Sequence, residues 1–220
     1  MSIDDVRAKV KSLAREANAK GDATGWFETV YADACGEIAS IPWADGKAHS
    51  ALMNWLVGKS GAGKRALVVG CGLGDDAEAF SSAGYGVTAF DISTTAIGWC
   101  RRRFPESRVE YAVADLFDPP QAWEKNFEVV FETYTLQALP EHTRAKAQES
   151  LVRFLAPGGT LLVIARGREA SEPLVDVPWP LTKAELKAFL QLGLRDIGFI
   201  EYYDDETPPV RRFFAMFRAL

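Results

Sequence analysis

Apolar positions change their period several times along this 220-residue chain, and each change predicts an element. Ile3, Val6, Val10, Leu13 and Ala17 recur at helical spacing, with Gly21 placed to close the last turn, so an amphipathic helix is expected over 3–19. Trp26, Phe27, Tyr31 and Trp43 follow, and the glycine, proline and polar residues around Trp43 place it in a loop. A second helix is expected over 49–57. Then the period shortens. Apolar runs at 67–69, 86–90, 109–113, 127–131 and 160–164 have strand length and residue content, with turn residues at their ends. Helical stretches start near Asp76, at the capping residue Ser93, and at Glu141, the last of these stopped by Ala156-Pro157-Gly158-Gly159. A polar, proline-rich loop over 166–180, a helix over 182–192 and two more runs at 199–203 and 213–217 complete the pattern. Strands alternating with helices imply an α/β fold with a doubly wound, mostly parallel sheet of seven strands. The short link over 204–209 forces one antiparallel strand near the C-terminus.

Candidate chemistry gathers just after the first strand. Gly70, Gly72 and Gly74 form a G-x-G-x-G loop, with Cys71 inside it, where backbone can turn sharply and approach a ligand closely. Asp91 ends the second strand, 21 residues after Gly70, which suits an acceptor for two ribose hydroxyls. A dinucleotide would want G-x-G-x-x-G, with its last glycine at position 75, and a helix start free of acid. Here Asp75 and Asp76 stand there, a pair expected to repel a diphosphate and to suit a cationic ligand. S-adenosylmethionine carries an ammonium, a sulfonium and no phosphate, so it is favoured over NAD. An NAD-dependent oxidoreductase and a non-catalytic nucleotide-binding module are the readings from other classes.

Bulk properties narrow the choice further. Net charge −5 and a pI near 5.2 argue against nucleic acid as a partner. No apolar run approaches a membrane span, and the N-terminus lacks the pattern of a signal peptide, so a cytoplasmic protein is expected. Cys35, Cys71 and Cys100 are scattered and only His49 and His142 occur, so no disulfide framework and no metal is expected. The stretch 58–65 imitates a phosphate loop but precedes a strand and ends in Arg65, so it reads as a connection. Asp118-Pro119-Pro120 reads as a turn, and Arg101-Arg102-Arg103 as a solvated surface. One domain over 1–220 is expected, with 61–220 as cofactor-binding core and 1–60 as a helical cap, either packed on the sheet's flank or acting as a lid.

The order of elements, with its closing hairpin, resembles the seven-stranded, Rossmann-like class I methyltransferase fold over essentially the whole chain. Within it the thiol, halide and thiopurine methyltransferases are most similar. Their G-C-G-x-G-x-D matches Gly70, Cys71, Gly72, Gly74 and Asp76, and their D-I-S matches Asp91, Ile92 and Ser93. A fourth-strand pattern matches Glu132, Tyr134, Ala138 and Arg144, and the N-terminal P-W-D-x-G matches Pro42, Trp43 and Gly46. The family's next substrate-side residues are replaced by Ala44, Ala48 and Ser50, and its late P-P-Y survives only as Pro178-Trp179-Pro180. The resemblance implies S-adenosylmethionine held by Gly70, Cys71, Gly72, Gly74, Asp76, Asp91, Ile92, Asp115, Leu116, Glu132 and Trp43. It implies a small-molecule acceptor, a thiol or else an oxygen, nitrogen or halide, in a pocket walled by Trp26, Tyr31, Trp43, Tyr134 and Trp179. Glu132 and Tyr134 are the expected catalytic pair, and Arg166 an expected contact for an anionic substrate. A monomer or homodimer is expected.

Overall fold

The computed structural model describes residues 3–174 and 177–220. The chain divides into two compact units, Met1–Asp115 and Leu116–Leu220.

The first unit opens with helix α1 (Ile3–Ala19), which buries Val6, Val10 and Ala14. Its end is set by Gly21, at φ +77°, a conformation that costs a residue with a Cβ about 1–2 kcal/mol. Helix α2 (Gly25–Asp33) buries Trp26, Val30 and Tyr31, and α3 (Ser50–Leu56) buries Leu52 and Leu56. Strand β1 (Arg65–Val69) is buried from its second residue on, which explains its continuous apolar sequence. Helix α4 (Asp75–Ser82), strand β2 (Gly86–Asp91), helix α5 (Thr94–Arg103) and strand β3 (Glu110–Val113) follow. The three strands are parallel, with Val69 beside Phe90 and Asp91 beside Val113. Ser93 caps α5 as its sequence predicts, its Oγ accepting from the Ala96 N–H at 3.0 Å.

The second unit holds strand β4 (Phe127–Thr133), helix α6 (Glu141–Arg153), strand β5 (Leu155–Arg166), helix α7 (Lys183–Lys187) and strands β6 (Leu194–Tyr203) and β7 (Arg211–Ala219). Phe127, Phe131, Phe154, Phe189, Phe213 and Phe214 form its core. β4 and β5 are parallel, while β7 runs antiparallel to both β5 and β6. β6 and β7 are longer than their apolar runs, because backbone pairing carries β6 through Arg195 and Asp196, where no side chain is buried. The predicted helix over 182–192 is tightened after Lys187 into a 3₁₀ turn, Ala188–Leu192, that Gly193 ends. Thr182 and Glu185 form a reciprocal cap at its start, a motif the sequence carries as T-x-x-E. Part of the proline-rich loop, residues 175 and 176, lies outside the described residues.

The strand order is β3-β2-β1-β4-β5-β7-β6, a seven-stranded mixed sheet that is parallel except for β7. Among the described residues no helix is long and apolar enough to cross a membrane.

Candidate functional site

In the first unit the loop between β1 and α4 is shaped by glycine. Gly70, Gly72 and Gly74 have φ of +60°, +53° and +90°. A Cβ on Gly74 would stand 2.6 Å from the Tyr111 hydroxyl, and one on Gly72 would stand 3.0 Å from the Tyr31 hydroxyl. Both positions are therefore closed to larger residues for packing as well as conformational reasons. Asp91, 6% exposed, ties the loop to the end of β2: its carboxylate accepts from the Gly72 N–H at 3.0 Å and the Ser93 N–H at 2.9 Å. Burial pushes the Asp91 carboxyl up to about 6, although those backbone donors pull against it. Ile92, half-buried, follows it, and Asp115 is half-buried after β3.

Three of the expected wall residues meet in this unit. The half-buried Trp43 donates its indole N–H to the Tyr31 hydroxyl at 3.0 Å and presents edge-on geometry to Trp26 and Tyr31. Burial and the nearby Asp91 push the Tyr31 phenol well above its ordinary value, so it stays neutral. Cys71 lies in the loop with its thiol pushed up by burial and by Cys100, which makes it a poor nucleophile.

The acidic helix start needs a correction. Asp75 and Asp76 are not a pair of free anions: both Asp75 oxygens take a 2.8 Å hydrogen bond from Arg103, which also donates to the Leu73 carbonyl. Asp76 accepts the His49 N–H at 2.7 Å, and burial, with Asp75 and Asp45 nearby, raises its carboxyl to about 7. The arginine run is corrected with it. Arg103 clamps the glycine loop and Arg101 donates to the Tyr111 carbonyl, so neither is a merely solvated charge. The signal was available in the i, i+3 relation of Cys100 and Arg103, which sets both on the loop-facing side of α5.

Glu28 was missed as well. From α2 its carboxylate accepts from Ser93 Oγ at 2.6 Å, Thr95 Oγ1 at 2.6 Å and the Thr95 N–H at 3.1 Å. Burial raises its pKa, but these donors outweigh burial and leave it lowered. The N-terminal segment is thus tied to the turn that follows Asp91.

In the second unit Leu116 is buried, and the carboxyl ends of β4 and β5 carry the remaining candidates. Glu132 is fully buried. Its Oε2 accepts from the N–H groups of Thr135 (2.9 Å) and Leu136 (3.2 Å), its Oε1 has no partner, and burial raises the carboxyl to about 8. Tyr134 sits just past β4 at φ +66°, with the Arg212 guanidinium 4.8 Å above its ring. Arg166 ends β5 rather than standing in the loop beyond it. Its N–H donates to Gln137 Oε1 at 2.5 Å, and its guanidinium lies 3.5 Å from Glu206. The backbone of Trp179 is fixed by Gln137, whose carbonyl accepts its N–H at 2.7 Å, and by Arg144, which donates to its carbonyl. Arg144 also pairs with Glu185 at 2.5 Å, so it anchors the loop before α7.

Residues 66–159 match the model of the family described as methyltransferase domain. The chain is 28% identical over 172 residues to the probable thiol methyltransferase 2 of Arabidopsis thaliana, covering 75% of this chain and 74% of that one. It is 25% identical over 166 residues to the 2-heptyl-1-hydroxyquinolin-4(1H)-one methyltransferase of Mycobacteroides abscessus, covering 73% and 72%. The chain is a class I S-adenosylmethionine-dependent methyltransferase. The fold of this methyltransferase is shared with the solved 1,6-didemethyltoxoflavin-N1-methyltransferase of Burkholderia thailandensis, with TM-score 0.69 and 17% identity over 88% of this chain and 85% of that one. That structure contains bound 1,6-didemethyltoxoflavin and S-adenosylhomocysteine. The methyltransferase acts on a small molecule.

Proposed function

We propose that this methyltransferase transfers its methyl group to the sulfur of a small thiol. The observation that carries the reading is Glu132: a buried carboxyl at the end of β4, one oxygen unpartnered, with its pKa raised to about 8. A base works best when its pKa lies near that of the proton it takes, and a thiol at about 8.5 is such an acid. An alcohol or phenol at about 10 or higher wants a stronger base. The histidines are committed elsewhere: His142 lies exposed in the first turn of α6, and His49 caps α3 with Nδ1 accepting the Ala51 N–H. The likeness to a thiol methyltransferase supports the same reading.

For the cofactor, the residues fit on two features of this structure: Gly70, Gly72 and Gly74 hold positive φ, which turns the backbone sharply after β1, and the Asp91 carboxylate at the end of β2 lies against that turn. Gly70, Cys71, Gly72 and Gly74 would hold the methionine portion by backbone, and Asp91 would accept from the ribose hydroxyls. Asp115 and Leu116 would flank the adenine, and Asp76 would face the ammonium. When bound, S-adenosylmethionine supplies an electrophilic methyl on a sulfonium, which departs as a neutral thioether. The chain's own work is to position the acceptor and keep water away, since charge is lost on the way to the transition state. In the second unit Tyr134 would orient the acceptor and the ionised form of Glu132 would take the thiol proton; in the first, Trp26, Tyr31 and Trp43 form a low-polarity aromatic cluster.

The test is a competition assay with labelled S-adenosylmethionine and equal concentrations of a thiol, a phenol, an amine and iodide. The methylated thiol is expected as the main product, and Glu132→Gln should lower its formation about a hundredfold. Another main product removes the sulfur assignment and leaves an oxygen, nitrogen or halide methyltransferase.

A further inference from the structure

Five buried side-chain oxygen or nitrogen atoms among the described residues lack a hydrogen-bond partner, and four of them belong to one edge of the second unit: Glu132 Oε1, Thr133 Oγ1, Tyr202 OH and Arg212 Nη1. Leaving such an atom unpaired costs about 1–3 kcal/mol, so a cluster of them is a place where a water or a ligand group completes the bonding. Strand register explains the gathering. Arg166 of β5 lies directly across from Arg212 of β7, and Tyr202 of β6 lies across from Arg212 on its other side. Residues directly opposite share a face, so Arg166, Arg212 and Tyr202 form one row across three strands. Thr133 lies opposite Ile164, two residues before Arg166, and therefore looks to the same face.

Arg212 is the centre of this row. It is 4% exposed, and its guanidinium is fixed on two sides: Nε donates to Asp204 at 2.6 Å and Nη2 to Glu206 at 2.5 Å. The Tyr134 ring covers one face of the same group. Tyr134 holds φ +66°, a strained conformation for a residue with a Cβ, and such strain collects at ligand sites. With Nε and Nη2 committed, Nη1 is the end left to donate, and the residue directly across from Arg212 on β6, Tyr202, carries a second unpaired donor in its hydroxyl. The two carboxylates of Asp204 and Glu206 balance the two arginines, so an incoming anion meets oriented donors in a locally neutral setting.

We propose that this row binds a carboxylate carried by the methyl acceptor, which makes the acceptor a small mercapto-carboxylic acid. Arg212 Nη1 and the Tyr202 hydroxyl donate to its oxygens, and Thr133 supplies a third donor. The proposal rests on the reading that the acceptor binds beside Glu132, and it deepens that reading by naming the group remote from the sulfur. It also accounts for Arg212, which no motif in the sequence singles out.

The test is calorimetry on the full chain loaded with S-adenosylhomocysteine, titrated with 3-mercaptopropionate, 2-mercaptoethanol and cysteamine. The carboxylate is expected to bind at least about tenfold tighter than the neutral thiol, as one charge-assisted hydrogen bond provides, and the amine weakest. Tyr202→Phe, which keeps the ring, should bring the carboxylate-to-neutral ratio several-fold closer to one. Arg212→Lys, which keeps the charge but loses the fork, should do so further, and Tyr202→Phe carries the test alone if that variant does not fold. A carboxylate that binds no tighter than 2-mercaptoethanol overturns the proposal, as does a ratio that Tyr202→Phe leaves unchanged. The oxygen analogues 3-hydroxypropionate and ethylene glycol give the same ratio without sulfur. Failure of the sulfur assignment therefore appears in the competition assay with the carboxylate preference intact.

Discussion

At the scale of single residues, three carboxyls are held above their ordinary values by burial: Asp91 at about 6, Asp76 at about 7 and Glu132 at about 8. A carboxyl raised in the folded state favours folding while it is protonated. Its contribution is complete below the unfolded value, near 4, and is lost as pH climbs through the folded value. For Glu132 that window runs from its ordinary 4.5 to about 8. Glu132→Gln removes the titration while keeping donor and acceptor atoms in place. The melting temperature of the variant, relative to the unaltered protein without cofactor, should therefore be more favourable at pH 8 than at pH 5. An equal difference at both values would show that burial does not raise the Glu132 carboxyl. Asp91 and Glu132 were visible in the sequence because each closes an apolar strand, where polarity switches abruptly. Arg212 and Glu28 were not, because their partners lie on other elements. Glu28 meets Ser93 and Thr95 across more than sixty positions, and a lone acid in a short helix carries no sign of that.

At the scale of elements, α2 is the connection between the N-terminal segment and the loop chemistry. Its amphipathic signal is weak, and Trp26 and Tyr31 alone could not say whether it packs or swings. Glu28 decides part of that, since three donors around α5's first turn fix it. Glu28→Gln keeps the shape but loses charge-assisted acceptance, at a cost of about 1–3 kcal/mol. We expect a lowered melting temperature and faster hydrogen exchange confined to residues 25–45. Unchanged exchange there would mean the ties contribute nothing to docking. The element boundaries that the sequence missed share one cause. β6 is extended by backbone pairing through polar residues and the end of the predicted helix over 182–192 is tightened to a 3₁₀ turn, and neither leaves a trace in apolar period.

At the scale of the whole chain, the mostly parallel sheet and its single antiparallel strand follow from the alternation of runs and from the short link before β7. The preference for S-adenosylmethionine was drawn from acid at the helix start, and the structure changes the reason. Arg103 neutralises Asp75, and burial raises Asp76 to about 7, so the fit lies in the positive-φ glycine turn and the Asp91 carboxylate. The most direct measurement of that claim is calorimetric titration of the unaltered protein and of Asp91→Asn with S-adenosylhomocysteine and, separately, with NAD. The account predicts binding of S-adenosylhomocysteine, none of NAD, and a loss of about tenfold or more in Asp91→Asn, where charge-assisted hydrogen bonds to the ribose become neutral ones. Equal affinity of Asp91→Asn and the unaltered protein for S-adenosylhomocysteine would contradict it.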